Sequence, residues 1–161
     1  MSQRFRHPSA EIPPFAAFEL ELPDGWRADE APDCLAVFFD PAATGFRTNL
    51  LVSADRVDAS VDLEQAAQDT LADAAAFADF RVEREKVDEI GGQPASLRYQ
   101  SFTVEGVPDR LLQLQVLLFS PPGGRTKTRD LFHIDGTCLG RDTETYAGVF
   151  LDIARSFTFL D

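Results

Sequence analysis

Residues 109–139 read "DRLLQLQVLLFSPPGGRTKTRDLFHIDGTCL", and the fold turns on this stretch. Its first part, Asp109 to Phe119, is the longest strand-like run in the chain. Gln113 and Gln115 alternate with Leu112, Leu114 and Val116 before the run becomes apolar on both faces. "SPPGG" can only turn, because proline removes backbone donors and glycine admits positive φ. "TRDLFHIDGTCL" therefore returns beside the first run as a hairpin. On the returning strand Phe132, Ile134 and Cys138 point one way, and His133, Asp135 and Thr137 the other, since side chains alternate along a strand.

Upstream, "FRVEREKV" and "PASLRYQSFTV" read as two more strands, separated by Gly91 and Gly92. Before them Asp62 with Gln65 forms a capping-box pattern, and Val61 with Ala66 a hydrophobic staple. Leu63, Ala67, Thr70, Leu71, Ala74 and Phe77 then recur at helical spacing, a thin, alanine-rich stripe that lets a helix lie close to a sheet. Earlier still come "RTNLLVSAD", "CLAVFFD" and "FELEL" (Phe18 to Leu22). The last alternates fully and ends on the Pro23–Gly25 turn. At the other end Tyr146, Val149, Phe150, Ile153 and Phe157 predict a second helix, with Asp142 or Thr143 as cap. The element order is βββ-α-ββββ-α. Strands in runs rather than in βα alternation argue α+β: an antiparallel β-sheet of six or seven strands with helices packed against it. Residues 1–14 carry three prolines and no periodicity, so we expect a flexible arm before a single domain at 15–161.

Composition narrows the function classes. Hydrophobic residues make up 44% of the 161, with 14 phenylalanines, which excludes a disordered chain. Net charge is −12, with the acidic excess almost wholly before residue 90. Nucleic acid needs a concentrated positive field and is excluded as a partner. No apolar run approaches the ~20 residues of a membrane helix, so no membrane insertion is expected. Basic residues near the start are followed by no apolar h-region, and the expectation is a cytoplasmic protein. Cys34 and Cys138 form no CxxC or zinc spacing, and a reducing compartment argues against a disulfide.

The candidates for chemistry are few. His133, Asp135 and Cys138 fall within six positions, but strand parity puts Cys138 on the face opposite His133. A nucleophile–base pair needs both on one side, so only a bulge at Gly136 could rescue it. "GGRTKT" lacks the phosphate-loop pattern and the helix that should follow it. Arg125, Lys127 and Arg129 remain as a basic cluster at the hairpin tip. They read as a charged edge kept soluble or as a dock for an acidic segment. Leu111, Gln113, Gln115, Leu117 and Phe119 share one face and form a mixed platform for an apolar or amphipathic segment of another polypeptide. The competing reading is that the second helix covers them. No cofactor, no metal and no catalytic residue is implied.

Taken together, "FELELPDGW", "GFRTNLLVSADRV", "LEQAAQDTLADAAAF", "EIGGQPASLRYQSF" and "FLDIARSFTF" resemble the actinobacterial LpqN/LpqT family, in the DcrB-like group of the PsbP-like fold. The resemblance runs from about Phe15 to Phe159. It rests on Pro23, Gly25 and Trp26 at the first turn, Asn49 in a strand, Gly92 with Pro94, and Ser156 with Phe157. It implies a curved antiparallel sheet carrying helices, and no shared catalytic residues. Relatives are lipoproteins, photosystem accessory subunits, or chaperones that hold an apolar segment on the sheet. Exported members of the family carry a lipid-anchoring cysteine behind an h-region, and this chain shows neither. The expected function is a non-catalytic binding or accessory protein, chaperone-like or serving a secretion or envelope system. Two alternatives stand beside it. One is a small enzyme or ligand-binding protein with a pocket between sheet and helix, using Arg98, Gln113, Gln115 and His133. The other is a structural homo-oligomer, at its simplest a homodimer, joined through a sheet edge or face.

Overall fold

The hairpin of residues 109–139 lies in the middle of a seven-stranded sheet in the computed structural model, which describes residues 1–161. In chain order the elements are β1 (Phe18–Glu19), β2 (Arg27–Asp29), β3 (Ala36–Phe39), β4 (Asn49–Asp58), α1 (Leu63–Ala74), β5 (Ala78–Ile90) and β6 (Gln93–Thr103). There follow β7 (Leu111–Phe119), β8 (Thr128–Leu139), a 3-10 turn (Gly140–Asp142), α2 (Thr143–Ser156) and β9 (Thr158–Phe159). The sheet order is β2-β3-β4-β8-β7-β6-β5, with every neighbouring pair antiparallel. The class is α+β, as the run of strands implies.

The sheet has seven strands, six of them from the segments expected and one not. "FELEL" contributes only Phe18 and Glu19, which pair with Phe159 and Thr158 in a separate two-stranded ribbon. Its place in the sheet is taken by exposed Arg27–Asp29 at the edge. Alternation marked Leu20 and Leu22 as inward-facing, and both do pack on the core, but from a non-strand segment held by Ser156 Oγ accepting Glu21 N–H (2.8 Å). Gly25 adopts φ 87°, closing the expected turn with Trp26 N–H donating to Pro23 O. Cys34 lies before β3 rather than inside it, and both cysteines are free thiols.

Each face of the sheet receives one helix. Leu114, Val116, Leu118, Phe132 and Ile134 point toward α2 and meet Phe150, Ile153 and Phe157 in an 18-residue buried cluster. Burying one such phenylalanine contributes roughly 2–3 kcal/mol. Register between β8 and both neighbours is unbroken through Gly136, so no bulge forms there. Glycine is required at 136 for a different reason: a Cβ would sit 2.6 Å from the Phe150 ring. Phe15, Phe18 and Phe159 present near-perpendicular rings to Phe132, closing the cluster where the chain ends meet.

The opposite face carries α1. Asp62 caps it by accepting Gln65 N–H (2.8 Å), as the capping pattern predicts. Ala66 packs against buried Leu117, Phe119 and Leu131. The α1 stripe is thin, so this helix covers only part of its face.

Candidate functional site

The uncovered part of the α1 face is a trough. At one end stands α1 with its Leu117–Phe119–Leu131 cluster; at the other, Phe46, Phe80 and Val107 cover Leu111, Leu139 and Phe102. Between them two cross-strand rows remain half-buried. One runs Leu51–Asp135–Gln115 and the other Asn49–Thr137–Gln113. On β6 the rows end in buried Arg98 and Gln100.

These polar side chains bond in a continuous chain. Arg98 Nε donates to Gln100 Oε1 (2.8 Å), Gln100 Nε2 to Gln113 Oε1 (2.7 Å), and Gln113 Nε2 to Thr137 Oγ1 (3.0 Å). Arg98 also donates to Gln115 Oε1, and to Ala67 O and Thr70 Oγ1 of α1. The buried guanidinium is thus satisfied by neutral acceptors, as burial of a charge demands. The chain stops short of two groups. Asp135 Oδ1 and His133 Nε2 are buried atoms without a hydrogen-bond partner. His133 Nε2 lies 3.1 Å from Oδ2 of the exposed Asp55, an ion-pair contact when the ring is protonated. Burial raises the Asp135 carboxyl to about 7, with Gln115 and Arg98 only partly opposing. Burial also lowers His133, against the pull of Asp55. Alternating with apolar neighbours, His133 and Asp135 would be expected on a solvated strand face, yet both are largely buried. Cys138 is on the far side, pushed up to about 12 by burial, so no thiolate–histidine pair exists.

The five platform residues are not equivalent. Gln113 and Gln115 are half-buried in the trough, whereas Leu111, Leu117 and Phe119 are 3%, 1% and 5% exposed. Leu117 and Phe119 lie under α1, not under the second helix, and no partner reaches them without displacing it. The basic hairpin tip is also largely committed. Arg125 pairs with Asp130 (2.7 Å), which Arg56 holds from the other side (2.9 Å). Burial alone would raise the Asp130 carboxyl, but the two arginines hold it below the usual range. Arg129 lies over the Phe119 ring and donates to Val61 O. Only Lys127 is free and exposed, so the tip is no three-cation dock.

No protein-family model and no curated protein matches the sequence. Solved structures match in three dimensions. The crystal structure of LpqN of Mycobacterium tuberculosis, described as involved in cell envelope biogenesis, aligns with a TM-score of 0.74 at 15% identity, covering 92% of this chain and 87% of that one. Cyanobacterial PsbP of Synechocystis aligns with a TM-score of 0.60 at 18% identity, covering 98% and 92%. The chain has the fold of LpqN and PsbP. A Pseudomonas aeruginosa protein of unknown function shares it, with a TM-score of 0.59 at 17% identity over 83% and 91% of the two chains.

On this LpqN-like fold the rival reading, a pocket between sheet and helix, also finds a counterpart. A cavity of about 760 Å³ opens between α2, the 3-10 turn and the β5–β6 side of the sheet. Its lining includes Tyr99, Arg84, Arg110 and Arg141, and none of the four residues nominated for such a pocket from sequence. Those four lie on the other face or turn away from it, because parity separates Arg98 from Tyr99. Sequence reasoning missed Arg84, Arg110 and Arg141. They come from three distant segments, and no local spacing signals their convergence.

Proposed function

We propose that the protein is a non-catalytic accessory protein that holds an amphipathic segment of another polypeptide in the trough. One observation carries this reading: a buried carboxyl oxygen without a hydrogen-bond partner, Asp135 Oδ1, lies beside an uncovered strip of sheet. Native proteins satisfy nearly all buried polar groups, so such an atom marks a place where a further polar partner belongs. The strip offers amides at Gln113, Gln115 and Asn49, and apolar surface at Leu51 and Val37. That mixture suits one apolar and one polar side of a bound segment. The envelope role given for LpqN supports an accessory role in an envelope or secretion system, by analogy of fold.

The test is site-specific photocrosslinking in the native host, with the photoreactive residue at Leu51 in the trough or at Val87, exposed on an edge strand. The expected result is one polypeptide crosslinked through a single amphipathic segment from position 51, not from 87, and lost on Thr137→Arg. Equal yields from both positions refute the trough. Crosslinks solely to a second copy of this chain replace the reading with self-association.

A further inference from the structure

We propose that the cavity beside α2 binds a small organic carboxylate with a flat apolar body, independently of the trough. About 760 Å³ is within the size range of small-molecule sites and far larger than a simple ion requires.

The charge chemistry centres on Arg110. Its Nη1 donates to Asp79 O (2.6 Å) and Ser101 Oγ (3.2 Å), both uncharged acceptors. Asp79 holds φ 51°, an unfavourable left-handed conformation for a non-glycine residue, while presenting that carbonyl. Arg110 is therefore held by uncharged acceptors with no carboxylate in direct contact, an arrangement suited to a pre-organised anion receptor. Arg84 joins it on the rim without an internal partner, and Arg141 pairs only with Asp109 at 3.3 Å, between exposed side chains. These three cations gather on a chain whose net charge is −12. Two acids also line the cavity. Glu83 accepts from Ser101 Oγ (2.6 Å), and Asp109 holds Arg141. Their presence disfavours a dianion such as phosphate and suits a single carboxylate, whose planar oxygens match a guanidinium fork.

The apolar body is assigned from the walls. Tyr99, Leu112 and Ala147 supply ring and aliphatic surface. Beside them Gly148 sits inside α2, where glycine is a poor helix former. A Cβ there would meet nothing within 4 Å, so packing within the protein does not require glycine. Gly148 lines the cavity, and the missing side chain leaves a flat wall against which a ring can lie.

The test titrates the full chain with 2-naphthoate and, as the neutral analogue of the same ring, 2-naphthalenemethanol, following amide NMR shifts. Naphthoate is expected to move the amides of Gly140, Ala147 and Gly148, with the alcohol binding about tenfold more weakly. Arg110→Gln should weaken naphthoate about tenfold and leave the alcohol unchanged. Gly148→Ala should raise Tm, since alanine favours the helix and meets no clash, yet weaken both ligands. Should Arg110→Gln fail to fold, Arg84→Gln, which breaks no internal bond, carries the same comparison. Equal affinity for acid and alcohol, shifts away from these amides, or no binding of either at millimolar concentration overturns the proposal.

Discussion

Replacing Asp135 with asparagine should stabilise the protein at pH 8 and leave it unchanged at pH 4. Burial moves this carboxyl from 3.8 to about 7 in the folded state. Each unit corresponds to about 1.4 kcal/mol, so the displacement is worth about 4 kcal/mol at most. The residue keeps some solvent contact, and relaxation reduces the effect, so about 2–4 kcal/mol is expected. The sign follows from proton binding. Below the unfolded value of 3.8 both states are protonated, and the favourable contribution is fully present. As pH rises toward 7 the unfolded chain ionises while the folded one does not, so stability falls until the folded group also ionises. Asparagine has the same shape and stays neutral throughout. The assay is urea unfolding of both proteins at fixed ionic strength from pH 4 to 8, read as the difference between them. His133 is common to both and cancels. In a domain of this size each kcal/mol moves Tm by about 2–4 °C, so thermal melts report the same curve. A flat difference curve refutes the burial argument. A less stable variant at pH 8 shows instead that the ionised carboxylate is paired in the fold.

Gly136→Ala should cost about 3 kcal/mol in urea unfolding through overlap with the Phe150 ring, and Phe150→Leu should restore part of it; a cost under about 0.5 kcal/mol rejects the contact. Asp130→Ala leaves Arg56 and Arg125 facing each other without their counter-ion, and thermal melts should register a loss of about 3–5 kcal/mol. Cys138→Ser places a hydroxyl in the α2 core and should cost about 1–3 kcal/mol, whereas His133→Ala at pH 8 should stay within about 1 kcal/mol by chemical denaturation. Leu117→Asp should abolish cooperative unfolding, because Leu117 supports α1; a folded Leu117→Asp protein would show that this leucine is open to a partner after all.

How far the sequence could be read depended on whether the determining contacts were local. Parity along residues 130–138 separated Cys138 from His133 correctly, because side-chain alternation needs no tertiary information. The Asp62–Gln65 cap was legible for the same reason. "FELEL" alternates as well as any strand, but its backbone partner is the distant β9, and no local pattern reveals a partner. The two faces of β7 were readable, but not which helix covers which face. Placing α1 over Leu117 and leaving Gln113 open is set by how the chain crosses from β4 to β5. Arg125 and Arg129 looked like free surface charge because Asp130 and Phe119, which engage them, have no special signature. The trough is legible only as a remainder, the part of a face that two small clusters fail to cover.

The two-stranded ribbon fastens residues 18–19 to residues 158–159, and this sets a schedule for synthesis. Phe18 finds its partner Phe159 roughly 140 positions later, so at about 5–20 residues per second the ribosome needs on the order of ten seconds or more to supply it. Throughout that interval Phe15, Phe18, Leu20 and Leu22 have no Phe157 or Phe159 to lie against. A nascent chain of this protein is therefore adhesive around residues 15–22 until residues 157–159 emerge. Deleting residues 157–159 should delay or prevent release from chaperones more than an equally small deletion in the β7–β8 turn.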